Sequence, residues 1–123
     1  MAKKLHLVHG PTPIQTHPAL NRLLECEVWL KRDDMTGGAE AGNKIRKLEY
    51  LLGDAVSQGA DTVITCGGTQ SNHARATALL CRQLGLRCTL VLRSEDESDR
   101  ALVGNLLLSH LSGASVRFIT AAE

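Results

Sequence analysis

Apolar residues recur along this chain with two different periods. From Ile45 onward, Leu48, Leu51, Leu52, Ala55 and Val56 return at three- and four-residue steps, the spacing that gathers side chains on one face of an α-helix. This predicts a docked helix that opens at Gly42-Asn43-Lys44 and stops at Ser57-Gln58-Gly59, where the glycine suits a C-terminal cap. A repeating unit follows. Residues 62–65 read as a buried strand, 72–84 as a helix closed by Gly85, and 87–92 as the next strand. A polar loop over 93–99 feeds a helix through Leu102, Val103, Leu106, Leu107 and His110, and 115–119 forms a further strand after Gly113. Alternating strands and helices at this spacing predict a parallel sheet with crossover helices, an α/β fold. Upstream, Pro11, Pro13 and Pro18 predict an extended arm over residues 1–20, followed by a short strand at 27–30. The polar run Lys31-Arg32-Asp33-Asp34 reads as a solvated turn, and 36–42 as a glycine-rich loop that delivers the chain to Lys44.

Composition narrows the class of ligand. The 123 residues are 43% hydrophobic and 22% charged, as in a globular protein of one domain. A formal net charge of +1 gives no broad attraction to nucleic acid or anionic membrane, so a small, specific ligand is expected. Aromatic residues make up only 2%, so the core is predicted to be Leu, Val, Ile and Ala. No stretch reaches the roughly 18 apolar residues of a membrane span, and Met1-Ala2-Lys3-Lys4-Leu5-His6 lacks a signal-peptide core; a cytoplasmic location is the expectation. Cys26, Cys66, Cys81 and Cys88 form no Cys-x-x-Cys pair and read as reduced core residues, with Cys66 set where a strand opens into a glycine loop.

Two stretches carry candidate chemistry. Gly42 lets the backbone turn sharply, and the helix start behind it leaves unpaired amides with a partial positive field. A lysine held there in an apolar or cationic setting loses its proton more easily, and its free amine can form a Schiff base with an aldehyde cofactor. An ordinary solvated charge fits Lys44 as well, as it does Arg46 and Lys47. The second stretch is Thr65-Cys66-Gly67-Gly68-Thr69-Gln70-Ser71-Asn72-His73, at the carboxyl end of a strand, where ligands sit in parallel sheets. Its glycines permit close approach, while Thr69, Ser71 and Asn72 offer hydroxyls, an amide and helix-start N–H groups to a carboxylate or phosphate. A capped helix start with Ser71 as N-cap accounts for the same residues equally well. Alone, His73 reads as a structural hydrogen-bond partner rather than a base. Five histidines without ligand spacing argue against a metal, and no Gly-x-Gly-x-x-Gly follows a strand to suggest a dinucleotide site.

Lys31-Arg32-Asp33-Asp34, Gly42-Asn43-Lys44-Ile45-Arg46-Lys47-Leu48-Glu49-Tyr50 and Gln70-Ser71-Asn72-His73-Ala74-Arg75-Ala76-Thr77-Ala78 together resemble the D-cysteine desulfhydrase and 1-aminocyclopropane-1-carboxylate deaminase family. These are pyridoxal 5'-phosphate enzymes of the tryptophan synthase β-like fold (fold type II). The resemblance covers nearly all of the chain and implies the N-terminal part of that fold, a parallel sheet with flanking helices. By it, residues 1–56 would be the arm, strand and lysine helix of the larger cofactor domain, and 57–123 a small three-layer αβ domain. Lys44 would hold the cofactor as an internal aldimine and move protons at the substrate α-carbon. Ser71 would act on the substrate through its hydroxyl, Asn72 and Asn43 would contact the cofactor, and Thr69, Gln70, Ser71, Asn72 and His73 would receive the substrate carboxylate. The implied substrate is a small amino acid and the full-length enzyme a homodimer. His73 after Ser71-Asn72 resembles the desulfhydrase branch, which converts D-cysteine to pyruvate, sulfide and ammonia; the deaminase reaction and a non-catalytic anion-binding or assembly module are the alternatives. Family members are more than twice this length and carry a later phosphate-binding loop. The resemblance therefore implies weak cofactor binding, little turnover and a marginal or oligomerising fold for these 123 residues alone. Ala41 stands where the family more often has glycine.

Overall fold

A computed structural model describes residues 3–120. Its elements in chain order are β1 (Ile14–Thr16), α1 (Pro18–Leu24), β2 (Trp29–Lys31), α2 (Lys44–Ser57), β3 (Thr62–Gly68), α3 (Asn72–Gln83), β4 (Arg87–Arg93), α4 (Gly104–Leu111) and β5 (Ser115–Ile119), with short 3₁₀ turns at Asp33–Met35 and Glu97–Arg100. The alternating unit from residue 62 onward forms a parallel sheet in the order β3-β4-β5. Along β4, Cys88, Leu90 and Leu92 are buried while Arg87 and Arg93 are exposed, the period-two pattern of a sheet covered on one face. Helix α3 lies on β3 and β4 and also meets α2 and α4. Its inward side is small, with Ala74, Ala76, Thr77 and Ala78 all buried, so its backbone can approach the strands closely. Ile45, Leu48 and Leu52 of α2 belong to the same buried cluster as Ala74, Leu80, Leu90, Leu92 and Leu106. That cluster runs across the division expected at residues 56 and 57.

Several expectations are corrected. The arm is not extended throughout: β1 pairs antiparallel with β2, and α1 begins at Pro18. Proline is tolerated there because the first helical N–H has no intrahelical acceptor to lose. The short strand falls at Trp29–Lys31 rather than 27–30. Strand β3 continues through Cys66, Gly67 and Gly68, leaving a loop of only 69–71, because each of those residues finds a partner on β4. Cys66 is thus an exposed strand residue, and Cys26 is exposed as well, whereas Cys81 and Cys88 are buried. Leu51 and Val56 point outward, at 55% and 43% exposure, because α2 is covered over a narrower arc than its apolar stripe. The run 31–34 is an ion-paired turn: Arg32 grips Asp34, and Arg46 reaches Asp33 at 2.6 Å from the first turns of α2. At such exposure water and salt screen both pairs, and they add little to stability.

The N-terminal strand of chain is fastened to α2 by a buried carboxylate. Glu49, 4% exposed, accepts the amides of Leu7 and Val8 at 3.0 and 3.1 Å on Oε1 and pairs through Oε2 with Lys4 at 3.0 Å. Burial pushes this carboxyl upward, but the Val8 amide, Lys4 and the Leu7 amide outweigh it and hold it below the ordinary carboxylate range. One turn on, Gly53 leaves room for the crossing chain; a methyl group there would overlap the Lys3 carbonyl.

Two outcomes are expected. Glu49→Gln keeps the shape and loses the charge, and should lower unfolding free energy at pH 7 by about 1.5–3 kcal/mol. Because the folded carboxyl lies below its ordinary 4.5, that contribution is complete above this value and is lost as pH falls through the folded one. Urea titrations should then show wild type and variant converging as pH falls through the folded value of this carboxyl, and a gap independent of pH would refute the assignment. Gly53→Ala should lower the thermal midpoint, although alanine in a helix interior ordinarily adds about 1 kcal/mol; a rise would show that the arm does not cross there.

Candidate functional site

The glycine loop that delivers Lys44 is closed by one hydroxyl. Thr36 is fully buried, its Oγ1 donating to the Asp33 carbonyl at 2.8 Å and accepting from the Gly42 amide at 2.8 Å. Gly42 has a φ of +123°, a conformation that side chains disfavour, so the turn into α2 requires a glycine there. Lys44 is then the first residue of α2 and is half-buried, with the exposed Asn43 before it.

The other wall comes from the carboxyl end of β3. Gly67 permits the chain to fold back, since a Cβ there would stand 2.7 Å from Ser71 Oγ. Ser71 caps α3, its Oγ accepting from the Ala74 amide at 3.2 Å. Asn72 follows at the first helical position, and Arg75 one turn later sends Nη2 across to the Ala41 carbonyl at 2.7 Å. The two walls enclose a cleft of about 390 Å³, lined by Lys44, Asn43, Asn72, Arg75, Asp34 and Leu108 among others. Its volume lies within the roughly 300–1,000 Å³ of small-molecule sites. Asp34 is already held by Arg32, so Lys44 and Arg75 leave the cleft cationic.

The site residues expected from sequence divide into two groups. Lys44, Asn43 and Asn72 share the cleft. Thr69, Gln70, Ser71 and His73 are not among its lining residues: Ser71 serves as the N-cap, and Gln70 turns to α4, accepting from the Asn105 amide at 2.8 Å and donating to the Val103 carbonyl at 3.2 Å. His73 is half-buried with Nδ1 buried and unpartnered; burial, then the charges of Lys47 and Lys44, push its pKa below the usual histidine value, so it stands neutral near the lysines. Arg75 and Asn105 were not foreseen. Arg75 stood within a quoted motif, but Asn105 lies 33 residues beyond Asn72 and has no local signal.

A larger hollow of about 540 Å³ opens at the opposite ends of the strands, between Arg82, Arg87, Cys88, Ser112 and Gly113. Helices α3 and α4 end there, and their terminal carbonyls disfavour an anion. It also lies at the amino ends of the strands, away from where parallel sheets hold ligands. The cleft at Lys44 is therefore the candidate site.

Residues 5–123 match the family model described as pyridoxal-phosphate dependent enzyme. The bifunctional D-cysteine desulfhydrase/1-aminocyclopropane-1-carboxylate deaminase, mitochondrial, of Arabidopsis thaliana is 49% identical over 120 residues, which are 95% of this chain and 30% of that protein. A D-cysteine desulfhydrase of Salmonella paratyphi B is 48% identical over 91 residues, 74% of this chain and 28% of its own length. A solved structure of an ACC deaminase homologue superposes with a TM-score of 0.89 at 47% identity, covering 98% of this chain and 36% of that one. The chain spans about a third of the length of the relatives it matches. The expected fold class holds, as the N-terminal part of a fold type II enzyme. Among the described residues no helix is long and apolar enough to cross a membrane. On the match across residues 5–123, the chain belongs to the family of pyridoxal-phosphate dependent enzymes.

Proposed function

We propose that this chain supplies the lysine-bearing part of a pyridoxal-phosphate-dependent lyase of small amino acids, with D-cysteine desulfhydration as the reaction. One observation carries the reading: Lys44 and Asn72, from two elements far apart in sequence, line a single cationic cleft beyond the carboxyl end of β3. The residues present suit the cofactor. A primary amine, a side-chain amide and a guanidinium whose Nε is buried without a partner form a donor set for an anionic aldehyde. When bound, pyridoxal phosphate supplies the aldehyde carbon and an electron sink for negative charge at the substrate α-carbon.

Each residue then has a role in its own chemistry. Lys44 Nζ is the amine that holds the cofactor and afterwards carries the proton at the substrate α-carbon. Neutral His73 adds no third positive charge beside Lys44 and Lys47. Asn72 donates N–H to an acceptor oxygen in the cleft, with Asn43 beside it. Ser71 Oγ accepts from the Ala74 amide, and its hydrogen stays available to the substrate. The Asn72 and His73 amides lie at the start of α3, where a carboxylate is favoured. Net elimination converts D-cysteine and water to pyruvate, hydrogen sulfide and ammonia. Deamination of 1-aminocyclopropane-1-carboxylate is the second reading, favoured by the double name of the plant relative. Residues 1–56 and 57–123 are assigned to a larger cofactor domain and a small domain, with Arg75 bridging them through Ala41. Turnover is assigned to the longer polypeptide that the relatives represent, as a homodimer.

The test is covalent trapping. Incubation with pyridoxal phosphate, reduction with borohydride and peptide mapping should place the label on Lys44, with near-visible absorbance before reduction. Lys44→Ala should lose both. Equal labelling of wild type and variant would overturn the reading.

A further inference from the structure

Asn105, the second residue of α4, joins the cleft to the rest of the fold through four hydrogen bonds. Its backbone amide donates to Gln70 Oε1 at 2.8 Å, its Nδ2 donates to the Gln70 carbonyl at 2.8 Å and to Asn72 Oδ1 at 2.9 Å, and its Oδ1 accepts from Arg75 Nη1 at 3.1 Å. Side-chain amides can in general be turned end for end, but here both ends of the chain of bonds have fixed polarity. The Gln70 carbonyl can only accept, which forces Asn105 Nδ2 toward it. The Arg75 guanidinium can only donate, which forces Asn105 Oδ1 toward Arg75. The second hydrogen on Asn105 Nδ2 must then meet an acceptor on Asn72, and Arg75 Nη1 adds a longer bond of 3.4 Å to the same Asn72 oxygen. With Oδ1 so occupied, Nδ2 is the end that Asn72, which lines the cleft with Lys44, has left to offer a ligand.

Gln70 is locked in the same way. Its Nε2 faces the Val103 carbonyl and its Oε1 faces the Asn105 amide, and it packs against Gly104, whose φ of +53° and missing side chain leave room; a Cβ there would come within 2.6 Å of Gln70 Oε1. No freely rotating group remains between backbone carbonyl and cleft.

We propose that Asn105 is a positioning residue: with Arg75 it fixes the Asn72 amide so that the cleft is offered an N–H donor and selects a ligand oxygen that accepts. This rests on the reading of the cleft as the cofactor site only for the identity of that oxygen; the orientation of Asn72 stands on the hydrogen bonds alone.

Two variants separate this role from mere support. Asn105→Asp keeps the shape and strengthens the contact with Arg75, yet has no hydrogen for the Gln70 carbonyl or for Asn72 Oδ1. Asn72 should then rotate to donate to the new carboxylate and offer its oxygen to the cleft. Asn105→Ala removes more contacts but imposes no polarity. The positioning role predicts that the Asp variant loses more affinity for pyridoxal phosphate than the Ala variant, about tenfold or more against a few-fold, read from borohydride labelling of Lys44 as the cofactor is titrated. A role limited to supporting the fold predicts the reverse order, with the Ala variant worse.

The cofactor-free protein supplies the second readout. In nitrogen-resolved NMR spectra the Asn105 side-chain NH₂ of the wild type should exchange slowly with water and that of Asn72 rapidly; in the Asp variant the Asn72 NH₂ should become protected. An Asn72 NH₂ already protected in the wild type, or unchanged in the Asp variant, overturns the proposal, even if labelling falls, because the loss would then come from the added charge. If the wild type takes no label on Lys44, the cofactor reading fails, and the Asn72 amide still decides the positioning role.

Discussion

Gly67 and the small side chains Ala74 and Ala78 set how near α3 can lie to the sheet, and the rest of the molecule is built on that close seating. With a Cβ at residue 67, Ser71 Oγ would be displaced and the α3 amides would lose their cap. With larger residues at 74 and 78, α3 would lift away from β3 and β4 and its first turn would leave the carboxyl end of the sheet. Dense packing makes such shifts costly, since interiors do not deform continuously. The same helix also meets α2 and α4, so its position fixes where Lys44 and Asn105 arrive.

The cleft that results is selective in charge and in polarity. Lys44 and Arg75 make it cationic, while the charge of Asp34 is paired with Arg32. Polarity comes from groups that cannot change their role, a backbone carbonyl at one end and a guanidinium at the other, passed along two amides. A network whose ends are fixed has one arrangement of its hydrogens, and a single arrangement costs no reorganisation when a ligand enters. His73 contributes by being neutral: a third positive charge next to Lys44 and Lys47 would go uncompensated, and its burial removes it.

The arm is held by a different kind of interaction. Glu49 is a carboxylate taken out of water, which is unfavourable on its own. Two backbone amides and Lys4 offset that cost with short bonds to the charged form. Those amides belong to a segment without regular structure, so Glu49 also satisfies donors that no sheet partner would reach. Fold and site are thus tied along α2, Lys44 opening it at the cleft and Glu49 and Gly53 receiving the arm along its side.

The periodic segments were legible in the residues themselves: α2, α3 and the parallel strands follow from apolar spacing, and of the stretches singled out there, Gly42-Asn43-Lys44 and Asn72 line the cleft. Those are local features, set by side-chain repeat and backbone freedom over a few residues. Only the tertiary structure decided which side of α2 is covered, leaving Leu51 and Val56 in solvent, or that β3 runs on through its glycines because β4 offers partners. It alone brought Asn105 to Asn72 across 33 residues and Arg75 to Ala41 across 34. Hydrogen bonds of that reach depend on where separate helices dock, and no local pattern along a chain encodes a docking geometry.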